Sequence, residues 1–118
     1  MKSVFKIVSN EQWEESKVTG YILANETDRD EQLCFVSFSD LEELCNSVFA
    51  PSQFPIALEF SPESLGEELV WAQASETRQW KEGHLSTDRI LADNVLNIYS
   101  FQPEETPSGV VFRILGED

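Results

Sequence analysis

His84 is the one histidine of this chain. Imidazole alone has an unperturbed side-chain pKa near neutrality, so proton-transfer chemistry would use His84 first. A lone histidine on a strand more often hydrogen-bonds a backbone carbonyl, and the residue types favour that structural role. A hydrolytic triad can be written from Ser37, His84 and Asp88, but no serine stands in the Gly-x-Ser-x-Gly turn that exposes a nucleophile. Lys6 points away from its neighbours Phe5 and Ile7, toward solvent by default or toward a phosphate or carboxylate across the sheet. Trp71 could stack on a flat ligand, yet its place after Leu69 and Val70 favours core packing. Trp80 lies in a polar stretch, suited either to a lid or partner contact or to covering a small core of its own. The adjacent carboxylates Glu42 and Glu43, like Glu67 and Glu68, point different ways and read as solvated rather than as catalytic pairs.

Two cysteines complete the chemistry-bearing set. Cys34 lies in an apolar run and Cys45 near Leu44 and Val48, so both read as small buried hydrophobes with free thiols, which fits a reducing compartment. One histidine and two separated cysteines fall short of a ligand set at close spacing, and no metal is expected.

The elements that must position these groups follow from pattern. Val4 to Val8 alternates as a strand. Ser9 and Asn10 offer an N-cap to a short helix that ends at Gly20, and Tyr21 to Ala24 extends briefly before a polar surface loop over 25–31. Leu33 to Phe38 is a second strand, and Ser39 with Glu42 has capping-box spacing for a helix through Leu41, Leu44, Cys45 and Val48. Pro55 to Phe60 is a third strand, followed by a single helical turn from Ser61 and Pro62 to Leu65. Leu69 to Ala72 is a fourth strand, and Gln73 to Gly83 reads as a loop. Val95 to Phe101 and Val110 to Leu115 form a C-terminal hairpin, about 95–115. Strands separated by short helices, with too few long helices for repeated crossovers, predict an α+β single domain over 1–118.

Composition limits the partners. The 118 residues suit one core, and 41% hydrophobic residues with eight Phe, three Trp and two Tyr can fill it. A net charge of −14, from 22 acidic and 8 basic residues, repels phosphate backbones and anionic lipid. Nucleic acid and membrane are therefore disfavoured, while a basic protein partner stays open. The start Met1 Lys2 Ser3 Val4 has no apolar run of signal-peptide length, and the expected location is cytoplasmic.

Taken in order, several short segments resemble a bacterial family. They are Phe5 Lys6 Ile7 Val8 with Trp13 and Gly20, Phe35 to Ser39, Leu58 Glu59 Phe60, Leu69 Val70 Trp71, and His84 Leu85. The family is domain of unknown function 952 (DUF952), and the resemblance covers nearly the whole chain. It implies an ADP-ribosyltransferase-like fold: a split mixed sheet, here with two or three short helices, whose cleft holds NAD in the enzymes. Two polar positions depart from the family. Ser37 stands where it usually carries a histidine, and Ser86 stands where the family typically has a tyrosine after a His and an apolar residue. These departures weigh against turnover. The expectation is a small-ligand or nucleotide-like binding domain without demonstrable catalysis. Its cleft is lined by Lys6, Ser37, Ser39, Trp71 and His84, for a ligand resembling NAD or ADP-ribose. One alternative is an NAD-dependent ADP-ribosyl-transfer enzyme in which His84 orients or deprotonates a group transferred from NAD. Another is an acidic protein-interaction module that uses Trp80.

Overall fold

Ser9 and Gly20 bracket a helix as their chemistry requires in the computed structural model, which describes residues 3–23, 33–65, 69–73, 80–85, 87 and 89–117. Helix α1 spans Asn10–Thr19. The Ser9 hydroxyl accepts from the Gln12 N–H at 3.1 Å, and Gly20 adopts φ 86° while its N–H closes on the Ser16 carbonyl. An N-cap serine and a left-handed glycine satisfy backbone groups that the helix ends would otherwise orphan. Helix α2, Leu41–Val48, buries Leu41, Leu44 and Cys45, the i, i+3, i+4 stripe of an amphipathic helix. Its start differs from expectation. Ser39 lies in a 3-10 turn, Phe38–Asp40, and Asp40 occupies the cap position without a side-chain cap bond. Glu42 cannot complete a capping box because its carboxylate accepts the Ile114 N–H, 2.9 Å away on a strand.

The strands are β1 (Val4–Ser9), β2 (Tyr21–Leu23), β3 (Leu33–Phe35), β4 (Pro55–Phe60), β5 (Val70–Ala72), β6 (Glu82–Leu85), β7 (Arg89–Leu91), β8 (Asn97–Thr106) and β9 (Gly109–Glu117). They form a four-stranded sheet in the order β1-β4-β8-β9, a three-stranded sheet β3-β6-β5 and a ribbon β2-β7. Phe5 and Val36 exchange two backbone hydrogen bonds of 2.8 Å and splice β1 to the end of β3, so the two sheets continue as one curled surface. The molecule is an α+β single domain.

Every pairing among the described residues is antiparallel, which corrects the expectation of a mixed sheet. The physical reason lies in one crossover. The connection through α2 carries the chain from β3 to β4, which run parallel to each other but lie on opposite sides of β1. Inserting β1 between them makes each neighbouring pair antiparallel.

Both faces of this surface are covered. Val4 and Val8 join Leu58, Phe60, Leu33 and Phe35 in one core, while Phe5 and Ile7 join Val36, Ala57, Phe101 and the buried stripe of α2 in another. Two-sided burial explains why Val4 to Val8 is apolar almost throughout rather than cleanly alternating. It also corrects the placement of Lys6, which is 1% exposed on the face of Val4 and Val8 rather than in solvent. The hairpin expected near 95–115 is β8–β9, with a bulge at Ser100 and Phe101. Its outer strand is not left bare, for Asn46 of α2 takes the Phe112 N–H at 2.6 Å and gives its amide to the Phe112 carbonyl. Such contacts occupy an edge that could otherwise pair with another chain. Among the described residues no helix is long and apolar enough to cross a membrane.

Candidate functional site

Strand β6 places the histidine. The stretch expected to loop as far as Gly83 turns into a strand at Glu82, and β6 is the middle strand of its sheet, so His84 does not sit at a strand edge. In the antiparallel register Cys34 of β3 lies directly opposite His84. Directly opposed residues project on the same face, and so does the residue two positions earlier on the same strand. Cys34, Glu82 and His84 therefore converge, with ligand-type atoms all within 4.8 Å of one another.

The carboxylate at the centre is buried. Glu82 is 1% exposed; its Oε1 accepts from Trp80 Nε1 at 2.9 Å and its Oε2 lies 3.0 Å from His84 Nε2. A carboxylate out of water is stable only when its lone pairs are met, and bonds of this charge-assisted kind are each worth about 1.5–3 kcal/mol. With Glu82 ionised, Nε2 carries the proton it donates and Nδ1 stands outside the pair. The imidazole side chain is 20% exposed, so it is the part of the assembly that meets solvent. Glu82 thus fixes the ring while Trp80 fixes Glu82.

The other expected site residues separate into different environments. Ser37 and Ser39 have their hydroxyls 3.1 Å apart beside the 3-10 turn, and Ser37 Oγ lies 3.4 Å from Asp40 Oδ2. The hydroxyl that a triad would turn toward His84 is engaged there, and the carboxylate that holds His84 is Glu82. Asp88, the third member of that triad, lies outside the described residues, as do Glu67, Glu68, Ser86 and the loop over 25–31. Trp71 is opposite Gly83 on β5, packs its indole on that glycine and remains 43% exposed. By alternation Trp71 and Gly83 face away from Glu82 and His84. Lys6, on the face of Val4 and Val8, is likewise across the curled sheet from Cys34 and Val36. Trp80, held open as a lid or partner contact, is buried in the second core with its N–H on Glu82, which removes it from the surface.

The chain matches no family model, and no curated protein matches it. It is similar in shape to protein CC0527 of Caulobacter crescentus. The crystal structure of that protein superposes with a TM-score of 0.76 at 19% identity, over 95% of this chain and 94% of the other. Its solution NMR structure gives a TM-score of 0.67 at 23% identity, over 94% and 92%. The likeness is one of fold. It covers most of both chains and says nothing of what the sheet carrying Cys34, Glu82 and His84 does.

Glu82, Cys34 and Trp80 were not legible as a group from residue types alone. A signal was present, for Trp80, Glu82 and His84 stand at every second position, the period of one strand face. A concavity of about 410 Å³ lies by β2 and β7 and is lined by Tyr21, Ser64, Thr87, Arg89 and Asn94 among others. There Arg89 stacks its guanidinium on the Tyr21 ring, 4.6 Å from the centroid, an arrangement that holds a cation in an acidic molecule.

Proposed function

We propose that this chain is a small-ligand-binding domain without demonstrable catalysis, with His84 as its contact residue. The observation that carries the reading is the buried Glu82, held by Trp80 and holding a partly exposed imidazole. A histidine serving only the core would need no carboxylate of its own placed beneath it. A ring pre-set by a buried partner loses little freedom when a ligand binds, which favours recognition. The proposed family is DUF952 and the proposed fold relation is to the ADP-ribosyltransferases; both rest on the quoted segments, from Phe5 through His84 and Leu85. The ligand class that follows is NAD, ADP-ribose or nicotinamide. The transferase alternative would need an acceptor or nucleophile at the imidazole, and the hydroxyl of Ser37 is occupied by Ser39 and Asp40.

An NMR titration of the wild type and His84→Ala with NAD, ADP-ribose and nicotinamide tests this. Saturable shifts at the amides of Gly83 to Leu85, weakened by about tenfold or more in the variant, are the expected result, since one lost charge-assisted contact is worth that much. Shifts confined to the amides around Tyr21 and Arg89 would move the site to the concavity by β2 and β7. No shift at millimolar ligand would end the nucleotide reading.

A further inference from the structure

We propose that Cys34, Glu82 and His84 form a binding site for a single d-block divalent cation of the zinc type, with a fourth coordination position open for a small ligand or water. The inference takes the same sheet face as the function proposed above but goes beyond it, and stands on the cross-strand geometry alone. No metal was expected from the sequence because the two cysteines and the histidine are far apart along the chain. The register of β3 against β6 removes that distance by setting Cys34 opposite His84.

The donor set is selective. A thiolate, an imidazole nitrogen and a carboxylate oxygen suit zinc and its neighbours, whereas magnesium and calcium require all-oxygen surroundings. Three protein ligands with one open position are the pattern of zinc sites that bind or activate a fourth group, in contrast to closed four-ligand structural sites. The ligand-type atoms already lie within 4.8 Å of one another. Zinc bonds of about 2.0–2.3 Å set tetrahedral ligands somewhat closer than that, a contraction that side-chain rotation can supply.

The surroundings have the features that a metal site needs outside its ligands. Trp80 Nε1 holds Oε1 of Glu82 and leaves Oε2 turned toward His84, so the carboxylate is aimed before any ion arrives. Conserving one oxygen for an outer hydrogen bond and one for the metal is how ligating carboxylates are oriented. Cys34 and Glu82 are buried, and the partly exposed His84 ring marks the side from which an ion would enter. On binding, the sulfur–hydrogen bond of Cys34 breaks and its proton leaves to solvent as the thiolate bonds the cation; the Nε2–H bond of His84 breaks likewise while solvent protonates Nδ1, so that Nε2 of the neutral imidazole and the freed Oε2 of Glu82 each bond the metal. Cys45 offers a built-in contrast. It is buried on α2 with its thiol pushed up to about 12, by burial first and Glu42 second, and belongs to no such cluster among the described residues.

Titration of chelator-treated full chain with Co(II) chloride tests the site. The expected result is a one-to-one complex with a thiolate-to-cobalt charge-transfer band in the near ultraviolet and the strong visible bands of four-coordinate cobalt. Equimolar Zn(II) bleaches both, because a four-coordinate site with a thiolate ligand selects zinc. Cys34→Ser abolishes the charge-transfer band, Cys45→Ser retains it, and Trp80→Phe weakens cobalt binding by about 10- to 100-fold because it acts only through Glu82. Amide NMR spectra establish that each variant keeps the native fold, and a variant that does not is replaced by Glu82→Gln and His84→Gln. A folded wild type that shows no saturable cobalt spectrum overturns the inference. A band that survives Cys34→Ser, or only the weak bands of six-coordinate cobalt, does so equally. If the metal-free protein binds ADP-ribose or nicotinamide through His84 but takes no cobalt, this inference falls while the ligand-binding reading stands. A cobalt spectrum with no organic ligand bound gives the reverse.

Discussion

Glu59, a partly buried carboxylate, is held by specific partners, and it shows the consequence for pH. It lies on β4 and faces β8, where its Oε1 accepts from Asn97 Nδ2 at 2.9 Å and from Tyr99 Oη at 3.2 Å. Burial works to raise its pKa, but hydrogen bonds from Ser3, Asn97 and Tyr99 outweigh this and hold the carboxyl below its ordinary 4.5. A carboxyl whose folded pKa is depressed stabilises the fold fully above its unfolded value. That contribution disappears as pH falls through the folded value. Glu59→Gln keeps an acceptor for Asn97 but has no charge to lose. Urea denaturation should therefore show a stability gap between wild type and Glu59→Gln that is constant well above pH 4.5 and closes as pH falls below it. A gap that does not change over that range would mean that the three hydrogen bonds do not favour the ionised form. Lys6 and Glu82 lie deeper, each 1% exposed, and this is where sequence reading failed most. Composition places such residues in solvent because burial is rare without partners, and what encloses them is tertiary: the core packed on β1 for Lys6 and the sheet of β3, β6 and β5 for Glu82.

At the level of elements, the curled sheet depends on a close approach between β5 and β6. Gly83 is opposite Trp71, and a Cβ on Gly83 would lie 3.1 Å from Cζ2 of the indole. Gly83→Ala therefore overfills the contact. Overpacking costs about 1–3 kcal/mol, and here the lower end applies because Trp71 is half-exposed on the last strand of its sheet and can swing outward. Chemical denaturation should show a loss of about 1 kcal/mol, and the cost should largely vanish when Gly83→Ala is made in a Trp71→Leu background. Equal losses in both backgrounds would place the effect in the backbone instead. The elements differ in how far their residues announce them. Helix α1 was legible because Ser9 and Gly20 act through their own backbone neighbours, and β1, β4 and the hairpin because their apolar runs are long. The fourth strand and the turn after Pro62 also fell where their residues suggested. Strand β6 was not legible, since Glu82, Gly83 and His84 carry no apolar alternation and are strand-forming only through what they meet on β3 and β5. The sheet's antiparallel character was hidden for a related reason: only the tertiary insertion of β1 between β3 and β4 decides it.

For the molecule as a whole, charge opposes folding. The chain carries 22 acidic residues against 8 basic ones, and compaction brings like charges together. Added salt screens this repulsion, shortening the range of a charge from about 10 Å at 0.1 M to about 3 Å at 1 M. Salt also weakens favourable pairs, so the sign of its effect has to be decided by magnitude. The described surface pairs are Lys17 with Glu14 at 2.9 Å and Arg113 with Glu104 at 3.3 Å and Glu42 at 3.6 Å. Exposed pairs of this kind contribute about 0–1 kcal/mol each. Most of the acidic residues have no base to pair with, since the deficit of cations is set by composition, and their mutual repulsion acts throughout the surface. Relief of repulsion should therefore win. The thermal midpoint should rise with sodium chloride, by roughly 4 °C for each kcal/mol relieved in a domain of this length, and most of the gain should come below about 0.3 M, where the screening length changes fastest. Calorimetry at several salt concentrations measures this directly. A midpoint that falls over the same range would show that the few ion pairs, above all those of Arg113 between α2 and the hairpin, outweigh the excess of acid.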